Sequence, residues 1–517
     1  MSKNVTYLVP RPSIFFPMIP RQWRGLRPEV KGFPRGFLTQ FWARPLGTMK
    51  SIPSKIREQL QHASQTHLLQ FWDELSESEV ASLLNQISQT DLQMLNAIWR
   101  SSTSGDSLGD AKARIESAKN PGQVVSQPCS AADNERWQLA TQLGERELQA
   151  GSVAVITVAG GQGSRLGFDH PKGMFPIGPR SDRTLFQIFA EQILARRRRH
   201  QATIPWLIMT SDATHAETLK FLQQHTYFGL GKETVQFFQQ GSLPALDAAT
   251  GRILMTGRSE LALSPDGHGG LVAAMENAGL FDLLAQQGIR HLFYHQVDNP
   301  TAILCDPALI GFHAQARSQL TTNVVRKISP TERMGVLADI NGRTEIVEYS
   351  ELTSAQAART DSNGDWIFWA GNTAIHVFDL EFLAQLAEDG GKLPLHVARK
   401  NVGFIDSLGA SIKPDNPALP NAIKLERFIF DALPLAERTL IVEGNRMREF
   451  NPIKNSDGAD SPATSRAALS RIGREWLAAG GYVIADDRPI EISPLQALDA
   501  AEMTLKIAAG AVHLADF

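Results

Sequence analysis

Residues 153–178 read VAVITVAGGQGSRLGFDHPKGMFPIG, and the parsing of this stretch decides the fold. Its first six positions are apolar and largely β-branched (Val153, Val155, Ile156, Val158), the pattern of a strand buried on both faces. The chain then breaks into Gly160, Gly161, Gln162, Gly163, Ser164, Arg165, Leu166 and Gly167. Glycine tolerates φ > 0 and lets a ligand approach the backbone. Successive N–H groups in such a loop can form an anion-binding concavity. Arg165 and Lys172 add two cations within a few residues. Together these features point to a ligand bearing phosphate, against the plainer reading of a glycine-rich turn that binds nothing. Spacing narrows the kind of cradle. The dinucleotide fingerprint needs G-x-G-x-x-G opening a helix, but here Gly161-x-Gly163-x-x-x-Gly167 runs into Pro171. The terminal G-K-S/T of a P-loop is also missing.

Downstream of this stretch, apolar strands alternate with helices, the sign of a mostly parallel sheet. The spacing predicts a helix over 184–199 and strands over 206–210, 235–238 and 291–297. In open α/β sheets, ligands bind outside the carboxyl ends of strands, and Gly160, Gln240 and Asp298 fall at such ends. The basic run 196–200 closes the predicted helix. Cations suit a helix C-terminus, so it reads as a solvated end and not a binding patch. The expected fold is α/β: a doubly wound, mostly parallel Rossmann-like sheet with a helical N-terminal segment and a small C-terminal domain. The expected divisions are a disordered tail at 1–48, a helical segment at 49–150, a catalytic domain at 151–432 and a C-terminal domain at 433–517.

Bulk properties set the class. The chain of 517 residues is 43% hydrophobic and 20% charged, with a formal net charge of −3. That is ordinary globular composition, with no global basic field for nucleic acid. Its two cysteines, Cys129 and Cys305, form neither a C-x-x-C pair nor a disulfide framework. They fit a reducing cytoplasm. No apolar run reaches the ~18–20 residues of a membrane helix. Residues 1–48 are rich in proline and arginine and lack periodicity, so they read as a solvated tail, or as an artefact of start-site choice with Met49 as the true start. Helical spacing follows from Ile52, with Ser76 and Glu79 forming a capping box. A Ser/Gly-rich loop is expected over 101–109 and a further helix over 135–148.

Further candidates come in clusters. Ser264 to Gly270 is a second glycine-rich loop before a helix near Leu271, able to hold a flat base or a sugar by backbone contacts. Asp298 is a candidate magnesium ligand, since magnesium is often held by one or two carboxylates plus substrate phosphates; a strand-end Asp capping a turn is the alternative. Asn341-Gly342 marks a hairpin. Glu348 and Asn372 are either sugar ligands or surface groups. Lys424 and Lys454 keep apolar company, and each alone reads as a snorkelling lysine. Metalloprotease and hydrolase-elbow motifs are absent.

GGQGSRLG followed by Pro171-Lys172-Gly173 resembles the signature loop of the UDP-sugar pyrophosphorylases, and in particular the eukaryotic UDP-N-acetylglucosamine (UDP-N-acetylhexosamine) type. FFQQGSLPA (237–245), SPDGHGGL (264–271), VDN (297–299), VEYSE (347–351), AGN (370–372), IKPDNP with NAIKLERFIFD (412–431) and FNPIKN (450–455) resemble family motifs in the same order. The resemblance runs from about Ser64 to Leu495. It implies a uridylyltransferase joining UTP and a sugar 1-phosphate, N-acetylglucosamine 1-phosphate first, to give UDP-sugar and pyrophosphate. It implies that Val158, Ala159, Gly160 and Gly161 hold the uridine side and first phosphate, and that Arg165 and Lys172 bind UTP phosphates. Gln240 and Gly267 would contact uracil. Asp298 would meet the nucleotide and Mg²⁺, with Mn²⁺ as a substitute. His268, Gly335, Glu348, Asn372 and Phe428 would line the sugar, and Lys424 and Lys454 would bind phosphates. Arg165, Lys172 and Lys454 are the expected catalytic cations. In-line attack on the α-phosphorus depends on positioning and charge neutralisation. The attacking phosphate is already ionised near neutral pH, so no histidine base is required.

The N-acetylglucosamine enzymes usually carry Asn where this chain has His268, whereas glucose-type and broad-specificity relatives carry G-H-G-D. UDP-glucose or UDP-galactose synthesis is therefore the rival within the class, and a non-catalytic UDP-sugar binder the rival outside it. A nicotinamide enzyme fails on glycine spacing. Only 22 residues follow Leu495, so an abbreviated final β subdomain is expected, with a monomer or weak homo-oligomer.

Overall fold

The protein is described from a computed structural model covering residues 51–104, 113–388, 391, 393–416 and 418–512. The expected tail lies outside these residues.

The strands used below are β1 (Val124–Val125), β2 (Val153–Val158), β3 (Trp206–Thr210), β4 (Val235–Gln239), β5 (Leu246–Asp247), β6 (His291–Gln296), β7 (Leu320–Arg326), β8 (Val336–Ile340), β9 (Arg343–Val347), β10 (Ala370–Asp379), β11 (Leu395–Lys400), β12 (Ala422–Arg427) and β13 (Thr439–Glu443). The main sheet runs β1-β13-β7-β10-β6-β2-β3-β4, with β8 paired to β10 and to β9. β6, β2, β3 and β4 are parallel neighbours, as are β1, β13 and β7. β10 is antiparallel to both β6 and β7. The expected doubly wound, mostly parallel sheet is therefore present.

β2 is buried on both faces, as its sequence requires. Val153 and Val155 pack with Phe186, Phe189 and Trp206 on one side. Ala154 and Ile156 pack with Leu207, Leu292 and Tyr294 on the other. From β2 the chain winds one way through β3 and β4, then returns to place β6 on the opposite flank of β2, with Gln296 beside Val158. The topological switch therefore lies between β2 and β6, where such sheets open a crevice for ligands.

A smaller antiparallel sheet, β11-β12-β5, lies beyond this crevice. Its Leu246, Ile423 and Leu425 share a core with Leu60, Leu68, Leu83 and Leu95 of the N-terminal helices. Ser76 and Glu79 form the expected capping box. The Asn341-Gly342 turn closes β8 onto β9 with both residues at positive φ (54° and 82°), the geometry of a two-residue hairpin.

Several expectations need correction. The basic run at the end of Leu185–His200 is not a solvated end. Arg196 and His200 are buried, Arg196 donates to the Leu304 carbonyl, and Arg197 donates to the Ile204 and Leu230 carbonyls. Planar guanidinium forks suit this bridging of orphan carbonyls. Arg199 pairs with Asp499 and Glu502. The helix Leu92–Ser104 carries on into the stretch read as a loop, whose remaining residues to Gly109 lie outside the described set. The helical segment before residue 150 also contributes β1 to the sheet edge, beside β13. After β13 the described residues form helices, chiefly Pro462–Ala479 and Ala500–Ala508, and no strand. The final β subdomain expected from the resemblance is therefore not found among them.

Candidate active site

The loop after β2 is folded back on itself. Lys172 N–H donates to the Gly161 carbonyl (3.0 Å) and Gly163 N–H to the His170 carbonyl (2.9 Å). The Ser211 hydroxyl, at the start of the helix Asp212–Gln224, donates to the Gly160 carbonyl at 2.8 Å. A Cβ at Gly160 would lie 2.4 Å from Gln240 Oε1, whereas one at Gly161 would meet nothing within 4 Å. Gly160 thus admits the Gln240 amide, and Gly161 opens to the cleft.

Val158, Gly160, Gly161, Lys172, Gln240, Gly267, His268, Asp298 and Lys424 line one open cleft of about 320 Å³. It sits at the carboxyl ends of β2, β4 and β6 and reaches the half-buried face of β12 that carries Lys424 and Glu426. Lys172 Nζ lies 3.9 Å from Asp298 Oδ2 and 3.4 Å from the Ile453 carbonyl, while Ile453 N–H donates to the Asp298 carbonyl at 2.8 Å. This places Lys454 next to a backbone segment that already touches both residues. Lys454 Nζ stands 5.5 Å from the Phe450 ring centroid. Asp298 carries one long ion pair and no hydrogen bond to its carboxylate among the described residues, so its oxygens remain available in the cleft.

Gly267 has φ +87°, and a Cβ there would lie 2.3 Å from the Arg427 carbonyl oxygen, so only glycine fits. His268 Nδ1 accepts from Ile429 N–H at 3.1 Å. Burial, with His396 nearby, lowers its pKa to about 4. The ring is therefore neutral with its proton on Nε2. It stacks on Phe428 (centroids 5.3 Å apart, planes at 25°) and tilts against Phe430. Phe428 also meets His396, with ring centroids 4.4 Å apart. Burial works to lower the pKa of His396, but its hydrogen bond to Asp431 (2.8 Å) and neighbouring carboxylates raise it overall.

The expected sugar residues adjoin this aromatic column. Asn372 N–H donates to the Gly335 carbonyl at 2.9 Å, and a Cβ at Gly335 would lie 2.8 Å from Glu348 Oε1. Burial and then Glu351 push the Glu348 pKa up, while His396 and Lys454 pull it down. Gly335, Glu348, Asn372, Phe428 and Lys454 are not part of the cleft lining itself, and neither are Ala159 and Arg165. Ala159 is buried, with its N–H on the Met209 carbonyl. Arg165 is exposed on the loop and makes no hydrogen bond or ion pair with the described residues.

Ser264 and Pro265 of the second glycine-rich loop and Val297 of the VDN motif also line the cleft, together with Gln296 and Glu426, which sequence reading did not single out. Glu426 was recoverable: in the alternating run Ala-Ile-Lys-Leu-Glu-Arg it shares a strand face with Lys424. His396 lies opposite Glu426 in the ladder, a pairing that carries no local signal. Among the described residues, no group of three His, Cys, Asp or Glu could hold a metal ion. One carboxylate with substrate phosphates completing the shell is the arrangement open to Asp298.

A family profile described as UTP–glucose-1-phosphate uridylyltransferase matches residues 115–467. The chain is 34% identical over 476 residues to a UDP-N-acetylhexosamine pyrophosphorylase-like protein 1 of Xenopus tropicalis, covering 85% of this chain and 91% of the relative. It is 35% identical over 455 residues to the UDP-N-acetylglucosamine pyrophosphorylase of Saccharomyces cerevisiae, covering 83% and 92%. Among solved structures, the uridine diphosphate N-acetylglucosamine pyrophosphorylase of Trypanosoma brucei, in complex with inhibitor, superimposes with a TM-score of 0.74 at 28% identity. That match covers 90% of this chain and 96% of the other.

Proposed function

The chain belongs to the UTP–glucose-1-phosphate uridylyltransferase family, and we propose that it transfers uridylyl from UTP to N-acetylglucosamine 1-phosphate, releasing pyrophosphate. The observation that carries this reading is the single cleft at the β2/β6 switch, where a glycine loop, Lys172 and Asp298 face Gly267, His268 and Lys424. The N-acetylglucosamine enzymes among the relatives favour the N-acetyl sugar over glucose or galactose.

In this reading the nucleotide lies along the cleft. Gln240 and the backbone at Gly267 take the uracil, and the loop from Val158 to Gly161 takes the ribose side and α-phosphate. Lys172 and Lys424 neutralise UTP phosphates, and Arg165, exposed on the loop, is free to turn onto the departing pyrophosphate. Gly335, Glu348, Asn372 and Phe428 hold the sugar, with the neutral His268 offering an Nε2–H donor beside it. Lys454 draws the sugar phosphate toward the α-phosphorus for in-line attack. An oxygen of the sugar phosphate forms the new P–O bond as the bond to pyrophosphate breaks. Fixed cations in a partly desolvated cleft stabilise the charge that develops in that step.

Mg²⁺, or Mn²⁺ in its place, would be held by Asp298 with the substrate phosphates and would supply further charge neutralisation. Among the described residues, no helix is long and apolar enough to cross a membrane. We assign the protein to the cytoplasm, as a monomer or weak homo-oligomer without nucleic-acid or membrane partners. The test is pyrophosphate release from UTP with each of N-acetylglucosamine 1-phosphate, glucose 1-phosphate and galactose 1-phosphate. The N-acetyl sugar should give the highest kcat/KM. Turnover of glucose 1-phosphate alone would overturn the choice of sugar, and no turnover of any would overturn the reaction.

A further inference from the structure

Beneath the cleft, three wall segments meet at one buried ion pair. Asp266 is 6% exposed, and its carboxylate sits between two glycines. A Cβ at Gly241 would lie 2.9 Å from Oδ2, and one at Gly270 would lie 2.2 Å from Oδ1. The backbone of Asp266 ties the same segments: its N–H donates to the Gly241 carbonyl (3.0 Å) and its carbonyl accepts from Arg427 N–H (2.7 Å). Gly241 follows Gln240, and Arg427 ends the strand that carries Lys424 and Glu426 and leads into Phe428.

The side-chain pair is incomplete. Arg427 Nη1 lies 3.5 Å from Asp266 Oδ2, against about 2.7–2.9 Å for a charge-assisted hydrogen bond. Asp266 Oδ1 and Arg427 Nε are buried without a hydrogen-bond partner, as is the nearby Ser264 Oγ. Unpaired buried polar groups are costly. The backbone of β12 is already held to this loop through Arg427 N–H and the Asp266 carbonyl, so the gap lies between the side chains alone.

We propose that Asp266 and Arg427 are positioning residues: their carboxylate–guanidinium pair sets the distance between the wall bearing Gln240 and Gly267 and the strand bearing Lys424, so that one UTP is gripped at base and phosphates together. The proposal rests on the functional reading above for the identity of the nucleotide. Neither side chain lines the cleft, so both act through the residues they hold.

The test is UTP calorimetry, steady-state kinetics and thermal melting on the full chain with Asp266→Asn, Arg427→Gln, Arg427→Lys and the Asp266→Asn/Arg427→Gln double variant. Each uncharged single variant should weaken UTP binding about tenfold or more, because small misplacements of positioned groups are expensive. KM for the sugar 1-phosphate should move much less. The double variant should be no weaker than the worse single, the non-additivity expected of a coupled pair, and Arg427→Lys should recover most of the affinity lost in Arg427→Gln. The proposal is overturned if a folded single variant binds UTP within twofold of wild type. It is also overturned if losses multiply in the double variant, or if melting temperature falls while the KM values for both substrates rise together. Should Asp266→Asn not fold, the two Arg427 variants decide alone. A wild type that binds UTP without turnover overturns the functional reading, while the variants' affinities still decide the role of the pair. A wild type that does not bind UTP overturns both.

Discussion

In the proposed reaction Lys172 and Lys454 both act on phosphate, one from the glycine loop and one from the segment after Phe450. Both are anchored through the same stretch of backbone at Ile453. Because each is read as neutralising phosphate and not as packing, Lys454→Ala should lower kcat by roughly 10²–10³-fold, the usual scale for loss of one preorganised electrostatic group. Its melting temperature should stay close to wild type. Stopped assays with saturating UTP and a parallel thermal melt check this, and turnover within threefold of wild type would remove Lys454 from the reaction. His268 behaves differently. Its pKa is lowered to about 4 by burial, so it stays neutral across the ordinary assay range. A pH–rate profile between pH 5.5 and 8.5 should keep its shape in His268→Gln. Loss of an acidic limb in that variant would show that the ring titrates during turnover.

At the scale of elements, the geometry of the cleft depends on how β2, β3 and β6 are locked below it. Trp206 Nε1–H donates to Thr157 Oγ1 (2.7 Å), and the Thr157 hydroxyl contacts His295 Nε2 (2.7 Å). His295 Nδ1 lies 3.1 Å from the Gln296 carbonyl, a contact in which only the ring can donate. The proton therefore sits on Nδ1 and the threonine donates to Nε2. All three residues are fully buried. Thr157→Val would strip two buried groups of their partner and should cost about 1–3 kcal/mol of stability, measured by urea unfolding. A change below 0.5 kcal/mol would contradict the network. The Gly267 loop gives a second test. Gly267→Ala meets both a positive φ and the Arg427 backbone, which cannot yield. Gly279→Ala meets a positive φ alone, with nothing within 4 Å of its Cβ. The first should cost more stability than the second, which should be limited to about 1 kcal/mol of left-handed strain. Gly267→Ala should also abolish measurable UTP binding. Equal effects of the two would contradict the packing of Gly267 on β12.

For the whole molecule, several buried histidines make stability depend on pH. His268, His295 and His376 have pKa values lowered by burial to about 4, 3 and 3. Unfolded, each would titrate near 6.5. At each of these histidines the unfolded chain binds more protons than the fold between about pH 3 and 6.5, so the stability each contributes is lost as pH falls through that window and is fully present above it. Relative to wild type, His376→Gln should lose less melting temperature, or gain more, on going from pH 7 to pH 4.5. The same change in both proteins would show that His376 is protonated in the fold.

Much of this arrangement was legible in sequence wherever the signal was local. Residues 153–158, the hairpin at Asn341-Gly342 and the glycine cradles announced themselves through periodicity and turn chemistry. So did the placement of Gly160, Gln240 and Asp298 at strand ends. What stayed hidden depends on residues far apart in the chain: the pairing of β1 with β13, the burial of Arg196 and His200 against distant loops, and the Asp266–Arg427 pair. Charge at such positions reads as surface until tertiary contacts supply its partners.

In the proposed reaction the β2/β6 cleft moves the α-phosphorus of UTP onto a sugar phosphate. The most direct measurement is the fate of an α-labelled UTP incubated with the protein, Mg²⁺ and an equal mixture of N-acetylglucosamine 1-phosphate and glucose 1-phosphate. The label should pass into UDP-N-acetylglucosamine in preference to UDP-glucose, with unlabelled pyrophosphate released. Label remaining in UTP, or passing only into UDP-glucose, would contradict the account.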